Sequence, residues 1–225
     1  MTVPVIAIDG PSGSGKGTIA RRVADALGYH LLDSGALYRL TALAASHYNV
    51  DMDNPKALAN LARSLNIEFG RDGQGGEMVL LNYEDVTNEL RTEKTGAGAS
   101  TVAAMEPVRE ALLELQKSFR KPPGLVADGR DMGTQVFPDA ELKVFLTASA
   151  EERAKRRHKQ LKDKGVDVSL AALSRDIEDR DRRDTERTVA PLRPAEDARV
   201  LDSSGQSIEA VTQTVLDWAK EADVS

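Results

Sequence analysis

The apolar run Val5-Ile6-Ala7-Ile8 ends abruptly in Asp9-Gly10-Pro11-Ser12-Gly13-Ser14-Gly15-Lys16-Gly17-Thr18. No other stretch of the chain limits its possible folds as strongly. Apolar residues without alternation read as a strand covered on both faces, the setting of a parallel sheet. We expect that strand over Val3 to Asp9. Ile19, Val23 and Leu27 then recur at helical spacing, and Gly28 stops the helix. Gly10 and Gly15-Lys16 have the G-x-x-x-x-G-K spacing of a phosphate-binding loop, set between a buried strand and a helix as that loop requires. Its glycines let the backbone fold tightly, so that several N–H groups point inward. The helix N-terminus adds a positive dipole end. Lys16 supplies a mobile charge for the outer phosphates. The usual motif has Ser or Thr directly after the lysine. Here Gly17 intervenes, which leaves Thr18 a weaker candidate for a direct metal ligand.

Strand and helix signals then alternate nearly to the end, which argues for an α/β layered domain. His30-Leu31-Leu32-Asp33 reads as a second strand, with Ser34 able to cap a helix that includes Leu37, Leu40 and Leu43. A helix is expected from Pro55 to Leu65. Residues 66–90 read differently: Ile67-Glu68-Phe69 and Met78-Val79-Leu80-Leu81 flank the glycine-rich Arg71-Asp72-Gly73-Gln74-Gly75-Gly76, a small antiparallel insert. Pro107 opens another helix. Leu125–Asp128 and Leu142–Leu146 are further core strands. Ser149 with Glu152 forms a capping box for a long charged helix. Gly165 breaks that helix, and Ser169 caps the next. Arg199–Asp202 is a last short strand. Ile208, Val211, Val215 and Trp218 line a final helix.

Composition narrows the function classes. Cysteine is absent, which excludes disulfide scaffolds, Cys-zinc sites and thiol catalysis. No apolar run has the roughly 18 residues of a membrane span, and the N-terminus lacks the features of a signal peptide. A cytoplasmic location is the expectation. The net charge is −6, yet 19 of the 30 basic residues are arginine, and aromatics make up 4%. Such a chain does not look like a nucleic-acid binder. Arginine favours planar, bidentate carboxylate or phosphate partners, although an ordinary solvated surface gives the same count.

Three clusters outside the loop carry candidate chemistry. Ligands gather at the carboxyl ends of parallel strands, so Asp33 and Ser34 face the same crevice as the loop. Arg39, about one and a half helical turns further on, can reach back to a phosphate; Ser34 as a mere cap and Arg39 as a surface residue stay open. Asp128-Gly129-Arg130-Asp131-Met132-Gly133-Thr134 follows a core strand. Asp128 stands where a Walker-B-like acid holds Mg²⁺ or its waters, and Arg130 and Asp131 project from the loop after it. The third cluster, Arg175 to Arg187, has the mixed charge of a solvated helix. Even so, Arg180, Asp184 and Arg187 stand at i, i+4 and i+7, on one helical face.

These segments together resemble the bacterial cytidylate kinases over essentially the whole chain. The Gly15-Lys16-Gly17-Thr18 ending is similar to that of nucleoside monophosphate kinases. Asp33-Ser34-Gly35-Ala36-Leu37-Tyr38-Arg39, Asp128-Gly129-Arg130-Asp131-Met132-Gly133-Thr134 and Arg180-Asp181-Arg182-Arg183-Asp184 with Arg187 are far more specific than the loop. The resemblance implies a P-loop kinase three-layer fold: a central parallel five-stranded sheet, a small antiparallel NMP-binding insert and a helical lid. The core would span about 1–34, 104–148 and 190–225, the NMP-binding region about 35–103, and the lid about 151–184. It implies ATP-dependent phosphorylation of CMP, with dCMP as a second acceptor, and Mg²⁺ as cofactor. ATP would lie on Gly10, Pro11, Ser12, Gly13, Ser14, Gly15, Lys16, Gly17 and Thr18, with Arg153 and Arg157 as further candidates. CMP would lie on Ser34, Arg39, Ser100, Arg109, Arg130, Asp131, Arg180, Asp184 and Arg187. Of these, Ser100, Arg109 and Asp131 would read the cytosine, and Arg180 and Asp184 the ribose. Lys16, Asp128, Arg130 and Arg187 would serve the transfer itself, with Asp128 holding the metal through water and Thr18 a second metal candidate. Ser100 and Arg109 enter through the resemblance alone. Gly96 and Gly98, just before Ser100, weaken a helix by roughly 1 kcal/mol each and suggest local mobility there. Partners other than the small-molecule substrates are not expected, neither nucleic acid nor membrane, and nothing demands more than a monomer. A kinase with another small acceptor, such as UMP, and a nucleotide-binding regulatory module are the competing readings.

Overall fold

The computed structural model describes residues 3–71, 73, 77–163 and 165–224. Asp72, Gln74, Gly75 and Gly76 of the expected hairpin loop lie outside the described residues.

In chain order the elements are β1 (Val5–Asp9), α1 (Lys16–Leu27), β2 (His30–Asp33), α2 (Ser34–His47), α3 (Pro55–Ser64), β3 (Ile67–Arg71), β4 (Glu77–Leu81) and β5 (Glu84–Asp85). They continue with α4 (Thr87–Leu90), α5 (Glu93–Val102), α6 (Glu106–Lys117), β6 (Leu125–Gly129) and β7 (Leu142–Thr147). The last four are α7 (Ala150–Asp163), α8 (Leu170–Glu186), β8 (Arg199–Asp202) and α9 (Ile208–Glu221). The chain divides into two compact units, one of residues 1–33 and 116–225, the other of residues 34–115.

The first unit is built on a five-stranded sheet in the order β2-β6-β1-β7-β8, with every pair parallel. β1 lies at its centre, and all five of its residues are buried. That burial is why its sequence carries no alternation. Ile6, Ile8, Val126, Val144 and Leu146 of the sheet pack with Ile19 and Val23 of α1 and with Val211 and Val215 of α9. On α9 the buried positions are Val211, Thr212, Val215 and Ala219, while Ile208 is exposed. The expected apolar face therefore begins one turn later. In the β1–β6 register Asp9 lies opposite Gly129, and in the β2–β6 register Asp33 lies opposite Asp128. Three carboxylates thus gather at one end of the sheet.

The second unit holds α2 to α5, most of α6 and the antiparallel sheet β3-β4-β5. Leu40, Leu43 and Ala44 of α2 bury against Val79 and Leu81 of β4 and Leu90 of α4. β2 runs directly into α2, so Ser34 is the first helical residue and not the residue before it. Asn54 caps α3 through Ala57 N–H, and Thr92 caps α5 through Thr95 N–H.

Candidate active site

Lys16 is buried where the loop enters α1, and its Nζ donates to the Pro11 carbonyl at 3.1 Å. Burial pulls its pKa well below that of an ordinary lysine. Arg130 and Arg180 push the same way, while Asp128 and Asp33 oppose them. Asp128 is its counterpart: burial raises this carboxyl far above the usual range, and Lys16 holds it down. Its Oδ1 is buried without a hydrogen-bond partner among the described residues. Gly17 explains the departure from the usual motif. A Cβ at that position would lie 3.1 Å from Asp128 Oδ2, so glycine leaves room for the carboxylate.

Beyond β6 the chain makes a single π-helical turn, Met132–Val136, of a kind often found at functional sites. Arg130 Nε donates to Asp184 Oδ2 on α8 at 3.0 Å, with both side chains largely buried. Arg187 Nη2 lies 4.0 Å from Asp131 Oδ1. Arg180 is close enough to lower the Lys16 pKa. Arg180 and Asp184 of α8 and Arg187, which caps the end of that helix in place of lying on it as expected, are therefore turned toward the phosphate loop and the loop after β6. Asp9, the last residue of β1, carries no site signal in the sequence beyond its place before the loop. Burial lifts its carboxyl to about 6, although it accepts the Met132 N–H at 2.8 Å and the Gly133 N–H at 2.9 Å.

A cavity of about 530 Å³ opens on the outer side of the phosphate loop. Gly13 to Ile19, Arg156 and Arg157 of α7, and Ser203, Gln206 and Ser207 line it, which places the exposed Thr18 on its wall. Arg153 does not face this space. It is buried, donating to the carbonyls of Ala148 and Ser12 and to both oxygens of Asp181. Arg156 donates to the Ser14 carbonyl at 3.2 Å and the Ser203 carbonyl at 2.7 Å. Two arginines of α7 thus hold the carbonyls of the loop, a role that the sequence did not signal.

Within the second unit, Arg39 Nη1 donates to the carbonyls of Leu90 and Thr92 at 2.9 and 3.3 Å. Ser100 is buried on α5, its Oγ 3.4 Å from the Gly96 carbonyl. Arg109 Nη1 donates to the Ala103 carbonyl at 3.2 Å, and its guanidinium lies 5.6 Å from the centre of the Tyr38 ring. Ser34 is buried. The two glycines before Ser100 have a packing reason. A Cβ on Gly96 would lie 3.0 Å from the Arg39 guanidinium, and one on Gly98 would lie 3.0 Å from Ala42 Cβ. They bring α5 close to α2.

The sequence model of the cytidylate kinases matches residues 6–221. The chain belongs to the cytidylate kinase family. The cytidylate kinase of Stutzerimonas stutzeri (strain A1501) is 60% identical over 225 residues, covering 99% of this chain and 98% of that one. That of Pseudomonas aeruginosa (strain UCBPP-PA14) is 60% identical over 215 residues, with 95% and 94% covered. That of Cupriavidus necator is 57% identical over 216 residues, with 96% and 95% covered. The chain is therefore a kinase of the P-loop type. Membership of the cytidylate kinase family implies ATP as a substrate and usually Mg²⁺. The residues present fit a hydrated magnesium ion. Asp128 offers a buried oxygen without a partner, and no group of three or more acids or histidines able to hold a metal occurs among the described residues. Magnesium held by one or two carboxylates plus phosphates needs no such cluster.

Proposed function

We propose that the chain transfers the γ-phosphoryl group of ATP to CMP, giving ADP and CDP, with dCMP as a second acceptor. What supports this most is the gathering of buried Lys16 and Asp128 with the partly buried Arg130, and Arg180 beside them, in a cytidylate kinase family member. In this reading the loop from Gly10 to Thr18 holds the triphosphate, and Arg157 bounds the cavity next to it. Ser100, Arg109 and Asp131 recognise the cytosine. Arg180 and Asp184 take the ribose hydroxyls. Ser34 and Arg39, with Arg130 and Arg187, take the acceptor phosphate.

An oxygen of the CMP phosphate attacks the γ-phosphorus in line. The bond from that phosphorus to the bridging oxygen breaks, and its electron pair leaves with ADP. The attacking oxygen is already anionic at neutral pH, so alignment and charge neutralisation supply most of the rate. Lys16, Arg130 and Arg187 neutralise the charge that spreads over the transferred group. Asp128 would hold Mg²⁺ through water, with Thr18 as the second candidate. When bound, the ion screens the phosphate oxygens. Residues 35–103 form the acceptor-binding region and 151–184 the lid, which excludes water. We place the reaction in the cytoplasm and in a monomer, with no nucleic-acid partner. The net charge of −6 speaks against a nucleic-acid partner, and among the described residues no helix is long and apolar enough to cross a membrane.

The test is ADP release with CMP, dCMP, UMP and AMP as acceptors. CMP-dependent ADP formation is expected, with UMP a poor acceptor under limiting substrate. No CMP-dependent release at high enzyme concentration would overturn the kinase reading, and equal use of UMP would overturn the cytosine assignment.

Gly96→Ala separates packing from recognition. Alanine improves the helix by about 1 kcal/mol, but its Cβ displaces the Arg39 guanidinium. The expected result is an unfolding temperature no lower than wild type with a KM for CMP several-fold higher. An unchanged KM would remove Arg39 from the acceptor site.

A further inference from the structure

Asp9 immediately precedes the phosphate loop in the chain, yet its carboxylate points to a different partner. Its two oxygens accept the N–H groups of Met132 and Gly133, at 2.8 and 2.9 Å, from the start of the π-helical turn. The Asp131 carbonyl in turn accepts the N–H groups of Gln135 and Val136, so the turn is closed on itself. On the other side, Gly129 is held in β6 by its register with Asp9. Arg130 and Asp131 are therefore a two-residue span between two fixed ends. The turn has little room to slide, because a Cβ on Gly133 would meet the Lys143 stem at 3.1 Å. Asp9 itself is 5% exposed, so water cannot easily replace a lost acceptor.

We propose that Asp9 is a positioning residue for the acceptor nucleotide: it fixes the backbone of Arg130 and Asp131, and it does not act on the ATP loop that follows it in sequence. The inference rests on the functional reading above, which gives Arg130 and Asp131 to CMP. A span tied at both ends has few backbone solutions, so its two side chains are held in one geometry before substrate arrives. Small misplacements of positioning groups cost rate and affinity steeply.

Asp9→Asn keeps the volume of the side chain but turns an NH₂ group toward one of the two N–H donors. The KM for CMP is expected to rise by about tenfold or more, with the KM for ATP within about twofold of wild type. Exchange of the Met132 and Gly133 amide hydrogens speeds up in the same variant. In an Asp131→Ala background, Asp9→Asn changes the KM for CMP by less than about twofold, because the residue through which it acts has gone. A KM for ATP that rises as much as that for CMP, or full additivity with Asp131→Ala, overturns the proposal. Should Asp9→Asn fail to fold, Asp9→Ser retains one acceptor and is read by the same two constants. If neither folds, Asp9 serves the whole core and the positioning role is wrong. A wild-type enzyme that makes no ADP with CMP defeats the functional reading instead. Unchanged Met132 and Gly133 exchange in the variant defeats the grip of Asp9 whatever the acceptor proves to be.

Discussion

Lys16→Met lowers kcat by about 10²- to 10³-fold, while the protein unfolds at or slightly above the wild-type temperature. The two halves of this result have one cause. The lysine is buried, and burial together with Arg130 and Arg180 holds its pKa below the ordinary 10.5. The folded state therefore disfavours the charge that phosphate transfer needs. Methionine fills similar space without a charge to desolvate. Asp128 loses the cation that most lowers its pKa, but burial already raises its carboxyl, and it can take up a proton. The linkage sign follows from the depressed lysine. On the alkaline side of neutrality the unfolded chain binds more protons at this site than the native one, so the wild type gains stability as pH rises toward 10.5. Lys16→Met lacks that gain. Its advantage in unfolding temperature should narrow with rising pH, which thermal melts across a pH series will show. A large loss of unfolding temperature at neutral pH would contradict this account.

Arg130→Met behaves differently, with activity and stability falling together. We expect kcat to fall by about 10²- to 10³-fold through lost charge neutralisation. Unfolding stability should fall by about 3 kcal/mol, because Asp184 is left as a buried charge without its partner. The Arg130 side chain is 17% exposed and that of Asp184 6%, so solvent offers little compensation. Adding Asp184→Asn should restore most of the unfolding temperature and none of the kcat. Denaturant titrations of the single and double variants, beside the ADP-release assay, decide it. Recovery of activity in the double variant would mean that Arg130 serves the fold and not the transfer.

Much of the sheet was legible because parallel strands buried on both faces leave continuous apolar runs, as in Val5 to Ile8 and Leu125 to Ala127. The α8 cluster was legible because Arg180 and Asp184 keep a helical period, although Arg187 lies just past the helix end. What stayed hidden depends on contacts across the chain. Asp9 meets Met132 and Gly133 only because β1 and β6 are neighbours. Arg153 looks like a charged helix residue and is buried beneath the phosphate loop. A five-residue π turn is too short to show a period. Gly96 reads as a helix breaker until Arg39 is seen beside it. Ser100 and Arg109 carry no local pattern, and only the family resemblance found them.

The arginine clamps of α7 have a mechanical consequence for the proposed lid. Arg153 joins the root of α7 to Asp181 near the root of α8, Arg156 ties α7 to Ser14, and Asp184 is tied to Arg130. Both helices are thus riveted at their bases, and the swinging part is confined to the stretch beyond Arg157. On the α7 side, Arg157 to Asp163 makes a lever of about 10 Å. Gly165, with φ +74° and open space around its Cβ position, lies near the tip of that lever. A short arm on a fixed pivot sweeps a small arc and disturbs few native contacts. Changes at the tip should therefore tune how long products are retained while the phosphate loop keeps its shape.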